Sequence, residues 1–389
     1  MNKIYSFLVF LLFMVTVSYS QMLDIGLFYN SKITALTFHN IKGSYQILNK
    51  NKVVKTLNES NIIYITLIGK YLQVRNEDEL IGTFRSLKIT GTEKENEFAI
   101  STILDKNKSR QYDDDLYLNA KPDFINIINH VDFEKYIAGV VETEAGSTSE
   151  LEYYKSQALI CRTYAYKNMY RHGEEGFNLC DGVHCQAYKG SSFYNKLIPK
   201  ATFATRSLII VDTTLEPIDA AFYSNSGGYT ANSEEVWISK KPYLRSVEDT
   251  FSLKGSNATW METISFTDWK KYLKSKGFMD LDNRDIYKFH SRNPKRRKYY
   301  YVGIDSLLYT EIRKDLNLKS AFFEVKSDVN NDIKLIGKGY GHGVGLSQEG
   351  GMEMAKQGKT FEDIIHFYYS DVKILSYREL KKEKKQRKK

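Results

Sequence analysis

Alternation of apolar and polar residues marks the first part of the chain. The segments that show it, and that are rich in β-branched residues, are KITALTFHN, NIIYITLIGK, KYLQVRN, SLKITG and EFAIST. Charged and asparagine-containing stretches separate these segments, as turns separate strands. The pattern predicts a β-rich N-terminal region over residues 21–120, and no residue in it stands out as a candidate for chemistry.

Helical spacing replaces the alternation beyond residue 124. Between residues 151 and 169 apolar side chains recur at intervals of three and four, which is the strongest helix prediction in the chain. Ser149 and Glu152 have the spacing of a capping box at its start, and Gly173 is the expected end. Cys161 lies on the apolar stripe, so we expect a buried thiol and not a metal ligand.

The remainder of the chain mixes both patterns. Strands are predicted in RSLIIVD, PIDAAFYSNSGGYT and YLRSVED, and helices over residues 266–277, 306–314 and 347–357. A further helix follows, with Thr360 and Asp363 as its capping box. Because helices and strands come in blocks without regular βαβ alternation, the expected fold class is α+β. We expect mixed helices and antiparallel strands around a cleft, preceded by the β-rich region.

The start of the chain has the pattern of an export signal. Residues 1–3 carry a positive charge, residues 4–17 form an apolar run, and Ser18 and Ser20 are the small residues that a signal peptidase reads. We expect a signal peptide over residues 1–20 and a secreted protein that works outside the cytoplasm, at the periplasm or cell-wall face. A retained membrane anchor is the alternative. No other segment is long and apolar enough to cross a bilayer.

Composition and charge narrow the class of protein. Apolar residues make up 42% of the 389 residues and aromatic residues 14%, which excludes a disordered chain. Much of the net charge of +9 comes from residues 381–389 and from the segment RNPKRRK at 292–298. A basic end suits nucleic acid, anionic lipid or an anionic polymer, and secretion argues against nucleic acid. We expect a solvated, disordered basic tail over residues 376–389.

The cysteines and histidines leave two interpretations open. An odd number of cysteines in a secreted chain cannot all pair within it. His172, Cys180, His184 and Cys185 offer the atoms of a tetrahedral zinc site, although their spacing is not that of a standard finger. A Cys180–Cys185 disulfide, favoured in an oxidising compartment, is the alternative.

Two glycine-rich stretches suggest walls of a cleft. YGHGVGLSQEG, at 340–350, lacks the Lys and Ser/Thr of a phosphate loop and the spacing of a dinucleotide fingerprint. We expect a close backbone turn that presents His342, Ser347 and Gln348 to a ligand. YSNSGGYT, at 223–230, surrounds two glycines with hydroxyl and aromatic groups that suit sugar recognition. An ordinary hairpin turn is the alternative there.

A third stretch, GVVETEAGS at 139–147, offers carboxyl groups. If the segment is extended, Glu142 and Glu144 share one side of it, because side chains alternate along a strand. A carboxyl beside buried valines has a raised pKa and can act as a general acid. The alternative is a pair of solvated glutamates ahead of a helix.

Together these stretches resemble the SpoIID/LytB family, whose namesake is stage II sporulation protein D. The resemblance runs from about residue 124 to about residue 374, in the family's order. It rests on YIAGVVETE, KSQALICRTYAYKNMYRHGEEGFNLCDGVHCQAYKG, ATFATRSLIIVD, FYSNSGGYTANSEEVW, PYLRSVED and GYGHGVGLSQEGGMEMAKQG. It implies a catalytic domain over residues 121–375 that cuts peptidoglycan glycan strands, preferably those without stem peptides, as a lytic transglycosylase.

The resemblance also assigns roles to residues. It implies Glu144 as the single acid and base that leaves 1,6-anhydro-muramic ends, with Glu142 as the nearest rival. The chain has Ala145-Gly146 where the family usually has Met-Pro. The implied substrate-binding residues are Arg162, Tyr223, Ser224, Ser226, Gly227, Gly228, His342 and Gln348. An arginine suits the lactyl carboxylate of muramic acid.

The resemblance implies a structural zinc at His172, Cys180, His184 and Cys185, and no cofactor for the chemistry itself. The implied partners are glycan strands and a cell-wall amidase. A non-catalytic protein that binds glycan and enhances such an amidase is the alternative function. A structural wall protein that binds through its N-terminal region is a third possibility.

Overall fold

The computed structural model describes residues 21–102, 109–146, 148–279, 281 and 286–387. The predicted signal peptide at 1–20 lies outside these residues. Within the described ranges, the helices are all too short or too polar to span a bilayer.

Strands dominate the chain as far as residue 132, as the alternation predicts. They are β1 (Met22–Leu27), β2 (Ala35–Lys42), β3 (Tyr45–Asn49), β4 (Lys52–Leu57), β5 (Ile62–Ile68), β6 (Tyr71–Arg75), β7 (Leu80–Phe84), β8 (Ser86–Gly91), β9 (Glu97–Thr102), β10 (Arg110–Asp113), β11 (Asp115–Ala120) and β12 (Ile125–Asp132).

Helices and shorter strands follow. They are α1 (Phe133–Ala145), α2 (Leu151–Asn168), β13 (Leu179–Cys180), α3 (Leu197–Ala204), β14 (Leu208–Val211), β15 (Phe222–Tyr223), α4 (Ser233–Val236), β16 (Thr259–Ile264), α5 (Phe266–Ser275), β17 (Tyr299–Val302), β18 (Asp305–Leu308), α6 (Tyr309–Asp315), β19 (Phe323–Ser327), β20 (Ile333–Lys338), β21 (Leu346–Ser347), α7 (Gln348–Lys356), α8 (Phe361–Tyr368), β22 (Lys373–Ser376) and α9 (Tyr377–Arg387). The α+β class with a β-rich N-terminal region is confirmed.

Two sheets pack on one another in the N-terminal region. One has the strand order β13-β1-β12-β11-β8-β3-β4, and the other has the order β10-β9-β2-β5-β6-β7. Period-two alternation turns one face of each sheet inward. Aromatic rings join the faces: the centroids of Phe38 and Tyr45 lie 5.3 Å apart, and those of Tyr45 and Phe98 lie 6.0 Å apart.

The first sheet continues across the predicted domain boundary at residue 120. β11 ends at Ala120 and pairs with β12, and β13 joins the far edge through β1. One apolar core runs from the N-terminal strands to α8. The β-rich region is therefore part of the same packed body as the residues that carry the candidate chemistry.

α1 follows β12 without a loop. The carboxylate of Asp132 caps the helix by accepting from the main-chain N–H groups of Glu134 and Lys135, at 2.8 and 3.1 Å. α1 then packs closely on residues 185–195. A Cβ on Gly139 would lie 2.1 Å from the main-chain oxygen of Gly190, so a larger residue does not fit at this contact.

α2 has more buried residues than any other described helix, and Cys161 is part of the main core as predicted. The predicted ends are wrong. The N-cap is Glu150, and the Glu152 carboxylate instead pairs with Lys155 and accepts from the N–H of Phe361. The helix ends at Asn168, since Gly173 begins a separate 3-10 turn.

Residues 259–338, here called the inserted module, form a second core. The module contains a three-stranded sheet of β16, β20 and β19, the hairpin β17–β18, and helices α5 and α6. Its core, which includes Trp269, Tyr300 and Phe323, is separate from the main one. The N–H of Gly339 donates to the oxygen of Ala258, which brings the two ends of the module together.

Several predicted elements differ from the structure. Within 223–230 only Tyr223 lies in a strand, and 243–249 forms no named strand. The helix predicted over 306–314 begins at Tyr309, because residues 305–308 pair with β17 instead. The predictions of α7 and of the Thr360 capping box of α8 are confirmed.

The expectation of a disordered basic tail is wrong for residues 377–387, which form α9. Leu380 packs in a small core with Ile209, Val211 and Leu215. The ammonium of Lys384 lies 2.7 Å from the Glu216 carboxylate. These contacts hold the helix on the body of the protein.

Candidate functional site

The stretch GVVETEAGS is helical and not extended, so the predicted arrangement of its glutamates is wrong. It forms the last turns of α1, which ends at Ala145. Side chains two positions apart on a helix point about 200° apart. Glu142 and Glu144 therefore do not share one side, and each meets a different part of residues 185–195.

The carboxylate of Glu142 is fully occupied by main-chain groups. One oxygen accepts from Phe193 N at 2.8 Å, and the other accepts from Tyr194 N and Asn195 N at 2.8 and 3.1 Å. With both oxygens engaged by main-chain amides, Glu142 anchors the loop.

The carboxyl of Glu144 has a different environment. Its Oε1 accepts from Ala187 N at 2.8 Å, and its Oε2 accepts from no donor in the described part of the chain. Burial raises its pKa, which the Ala187 amide and the charge of Lys189 partly offset. One oxygen is thus fixed in place while the other remains available, with a proton affinity above that of an ordinary glutamate.

Buried residues that the sequence reasoning did not single out lie close to Glu144. Burial, then the charge of Glu144, raises the pKa of Cys161 to about 12. The same carboxylate contributes to the raised pKa of the buried Tyr153. The only sequence signal for Tyr153 is its place on a helix, which is equally a signal of core packing.

α7 meets the end of α1. Gln348, its first residue, donates from Nε2 to the main-chain oxygen of Glu144 at 3.0 Å. Beside this contact lies a cavity of about 330 Å³, lined by residues 148–150, residues 254–256 and the exposed side of α7. We call it the α1–α7 cleft. Glu144 and Gln348 are not among its lining residues, but each lies close in sequence to residues that are.

The two glycine-rich turns pair with each other. Asn225 and Tyr340 exchange main-chain hydrogen bonds of 3.0 and 2.9 Å, and β15 runs parallel to β21. Ser226 is fully buried, with its hydroxyl 2.8 Å from Asp249. Gly227 and Gly228 are buried in the same turn. These three predicted binding residues are buried within the turn that they build.

Glu349 ties the turns to the α1–α7 cleft. Its carboxylate accepts from Asn225 Nδ2, from Asn257 Nδ2 at 2.6 Å, and from the hydroxyl of Ser256. The Ser224 hydroxyl lies 3.5 Å from Asn257 Nδ2. Ser224 is half-buried, so this predicted residue lies at the edge of the cleft.

His342 uses both ring nitrogens within the protein. Nε2 lies 3.0 Å from the oxygen of Phe222, and Nδ1 accepts from Val344 N at 3.0 Å. Burial lowers its pKa to about 4, so the ring is neutral at pH 7. The rings of Tyr223 and Trp237 lie 5.2 and 5.4 Å away. With both nitrogens engaged, His342 is unsuited to bind a metal.

Arg162 does not reach the cleft, so its predicted role in substrate binding is not supported by its position. The side chain is fully buried. Its guanidinium donates to the Glu134 carboxylate, with Nε 3.1 Å from each oxygen, and to the oxygen of Thr202 at 2.9 Å. The arginine links α2 to α1 and α3.

The four predicted metal ligands lie together. The ligand atoms of His172, Cys180, His184 and Cys185 are all within 4.8 Å of one another, and the three cysteines are unpaired. His172 Nε2 is 3.4 Å from Cys185 Sγ. Zinc–sulfur and zinc–nitrogen bonds of about 2.3 and 2.0 Å place ligand atoms at similar separations, so the residues fit zinc.

The second nitrogen of His172 also fits a metal site. Its Nδ1 lies 2.5 Å from a carboxylate oxygen of Glu175, an arrangement that orients a ligating histidine. A larger cavity of about 550 Å³, lined by β1, β12 and residues 175–177, lies beside this cluster. It contains neither Glu144 nor the residues of the two turns.

Comparisons with known proteins identify a family and several relatives of the chain. A family described as "SpoIID: Stage II sporulation protein" matches residues 122–211, which include α1, α2 and the cysteine–histidine cluster. The chain is 32% identical over 264 residues to stage II sporulation protein D of Bacillus subtilis, covering 64% of this chain and 75% of that protein.

Two further relatives match different shares of the chain. An uncharacterised protein of Brachyspira hyodysenteriae is 27% identical over 354 residues, covering 88% of this chain and 91% of that protein. The amidase enhancer of Bacillus subtilis is 27% identical over 294 residues, covering 62% of this chain and 40% of that protein.

The position of Arg162 predicts a loss of stability. Replacing Glu134 with Ala leaves a buried guanidinium unpaired, which should lower the free energy of unfolding by about 3–5 kcal/mol. Urea unfolding followed by tryptophan fluorescence measures this. As a control, Lys167→Ala removes an exposed ion pair from α2, the helix that carries Arg162. This change should lower the free energy of unfolding by less than about 1 kcal/mol. Equal effects of the two changes would contradict the assignment.

Proposed function

The chain belongs to the SpoIID/LytB family, and on that premise we propose that it is a lytic transglycosylase of peptidoglycan glycan strands. A cell-wall-related role follows from the family. The observation that carries the finer proposal is the Glu144 carboxyl: half-buried, held by one amide, with a raised pKa and one free oxygen.

The reaction uses that carboxyl twice. Protonated Glu144 donates its proton to the glycosidic oxygen, and the bond from this oxygen to the anomeric carbon breaks. The carboxylate then accepts the proton of the muramic 6-hydroxyl, whose oxygen bonds to the anomeric carbon. The product is a 1,6-anhydro end, Glu144 is protonated again, and no water is consumed.

The environment of Glu142 argues against a hydrolase. Glycoside hydrolases use two carboxyl groups at a set separation, one of them free to act as base or nucleophile. Both oxygens of Glu142 already accept main-chain hydrogen bonds. Of the two glutamates at the end of α1, only Glu144 has an oxygen without a hydrogen bond among the residues described, and this favours a mechanism in which the substrate supplies its own nucleophile.

The substrate strand would occupy the α1–α7 cleft. Gln348 ties the start of α7 to the main chain of Glu144, and the next residue, Glu349, lines the cavity and holds the turn that carries Ser224. The cavity has both charged and apolar lining, from residues such as Lys254 and Met352, which suits a sugar ring with several hydroxyl groups. An extracytoplasmic location fits such a substrate.

The alternative is a glycan-binding protein that enhances a cell-wall amidase without cleaving the glycan. The likeness to the amidase enhancer of Bacillus subtilis favours it. Replacement of Met-Pro by Ala145-Gly146 beside the acid also favours it, because this changes the wall next to Glu144. In this case an amidase would be the partner, and Glu144 would only hold Ala187 in place.

We also propose a structural zinc on His172, Cys180, His184 and Cys185. When bound, the metal would supply a tetrahedral cross-link and no chemistry for the cleavage. His172 follows α2, Cys180 ends β13, and the other two ligands precede Ala187. The cross-link would thereby fix the start of the segment whose amide holds Glu144.

Replacement of Glu144 with Gln should abolish cleavage. Loss of a general acid reduces rates by about 10²–10⁴-fold. The measurement is mass spectrometry of denuded glycan strands after digestion, scored for 1,6-anhydro ends. Glu142→Gln should retain the chemistry, with a loss of stability from its amide contacts. Undiminished release by Glu144→Gln would reject the catalytic assignment, and enhancement of an amidase by that variant would support the alternative.

The pH dependence of cleavage should follow the protonation of the Glu144 carboxyl. Because the first step needs protonated Glu144, kcat/KM should fall as the pH rises through the raised pKa. The charge of Lys189 lowers this pKa, so Lys189→Gln should move the descending limb to higher pH. Lys200→Gln, an equal change of charge on α3, is the control. A shift to lower pH, or an equal shift in the control, would contradict this.

Zinc can be tested without reference to activity. Elemental analysis of the purified protein should find one zinc per chain. Cys180→Ser should lose the metal and lower the melting temperature, whereas Cys161→Ala, a change of a core thiol, should keep the metal. A disulfide detected between Cys180 and Cys185 in protein free of metal would overturn the proposal.

A further inference from the structure

Two arginines of the inserted module lie near the glycine-rich turns, and neither forms an ion pair within the described ranges. Arg296 donates from Nε to the oxygen of Tyr229 at 2.6 Å and from Nη2 to the oxygen of Ser226 at 2.9 Å. Arg313 donates from Nε to the oxygen of Leu318 at 3.3 Å. Carbonyl oxygens satisfy donors without neutralising the positive charges.

Both arginine side chains are partly removed from water. Burial lowers the pKa of each, and the charge of Arg313 lowers that of Arg296 further. The Glu235 carboxylate lies within electrostatic range of Arg296 but forms no ion pair with it among the residues described. Charges removed from water in proteins are normally paired with an opposite charge. Two cations in mutual range, each without an ion pair, indicate a site that an anion would complete.

The Arg296 side chain packs against the two glycine-rich turns. A Cβ on Gly343 would lie 2.5 Å from its Nη1, so glycine is needed for the guanidinium to lie against the turn. The guanidinium also lies 4.8 Å from the centre of the Phe322 ring. Arg313 is connected to the same turn through the main chain. It donates to the oxygen of Leu318, and the oxygen of the next residue, Lys319, accepts from the N–H of Gly341.

Further polar groups converge on the two arginines. Their charges both contribute to the lowered pKa of His342, which places the three groups in one electrostatic neighbourhood. The Tyr223 side chain is only 5% exposed, and its hydroxyl has no hydrogen-bond partner among the residues described. The charge of Arg296 also acts on this hydroxyl. A buried donor without an acceptor is a second sign of a ligand.

Exposed aromatic rings border the same group. Trp237, 39% exposed, has its ring 5.4 Å from that of His342. Tyr340, 45% exposed, lies within the electrostatic range of Arg313. Aromatic faces beside positive charges suit a sugar that carries a carboxylate. Tyr223 also pairs with Ser347, the residue before Gln348, which connects this group to the cleft.

We propose that Arg313 and Arg296, with the hydroxyl of Tyr223, form a subsite that binds the lactyl carboxylate of muramic acid in strands without stem peptides. The inference rests on the proposed glycan substrate and adds the residues that select it. The sequence suggested Arg162 for this role, but Arg162 is paired with Glu134. We assign the role to the two arginines of the inserted module instead.

The test is a binding measurement that does not depend on cleavage. Full-length Glu144→Gln protein is titrated with denuded glycan strands and with the same strands after coupling of their carboxylates to methylamine. We expect tighter binding to the free carboxylates. Arg313→Gln should remove that preference, with a loss of about tenfold for the charged strand and little change for the neutral one. Lys314→Gln, an equal change on the same helix, should keep the preference.

Three results would overturn the subsite. These are equal binding of both strands by the Glu144→Gln protein, an equal loss on both strands in Arg313→Gln, and the same effect in Lys314→Gln. Arg296→Lys keeps the charge and should retain most of the preference. This variant separates the effect of the lost charge from misfolding of the arginine variants. If the wild type forms no 1,6-anhydro ends but the charge preference holds, the proposed cleavage fails and the subsite stands.

Discussion

The contact between α1 and residues 185–195 is the constraint on which the rest of the site depends. Gly139 allows the helix to lie against the main chain of Gly190 in the loop, and three amides hold the loop to Glu142. With the loop fixed in this way, the Ala187 amide reaches Glu144. Two glutamates with similar sequence surroundings thereby acquire different properties: one anchors the loop through both oxygens, and the other is a carboxyl with a raised pKa and a free oxygen.

The sequence predicted elements well where local preference and burial agree. β8 and β9 match the predicted segments, and the α8 capping box forms as expected. The prediction of an extended segment at 139–147 was wrong. Glycine and paired valines are poor helix formers, and two glutamates separated by one residue imitate the alternation of a strand. Its cap, Asp132, lies before the stretch, and packing against residues distant in sequence decides the conformation. Such contacts leave no local signal.

The candidate site was predicted in outline and not in its side chains. The motifs correctly brought together α1, the two turns and α7, and they grouped the four residues suited to zinc. They could not show which residues face a ligand, since Arg162 and Ser226 are polar in sequence but buried in networks of their own. The inserted module escaped prediction because its second core has no distinct composition. Its basic segment, RNPKRRK, showed only positive charge in the sequence, yet Arg296 donates to one glycine-rich turn and packs against Gly343 of the other.

The central claim is that one carboxyl, that of Glu144, cleaves glycan by letting the substrate attack itself. The most direct measurement is digestion of denuded glycan strands by the wild-type protein in water labelled with heavy oxygen, followed by mass spectrometry of the new ends. The account predicts 1,6-anhydro ends that carry no label, because the ring closes through the sugar's own hydroxyl. Reducing ends that carry one labelled oxygen would show attack by water and contradict it.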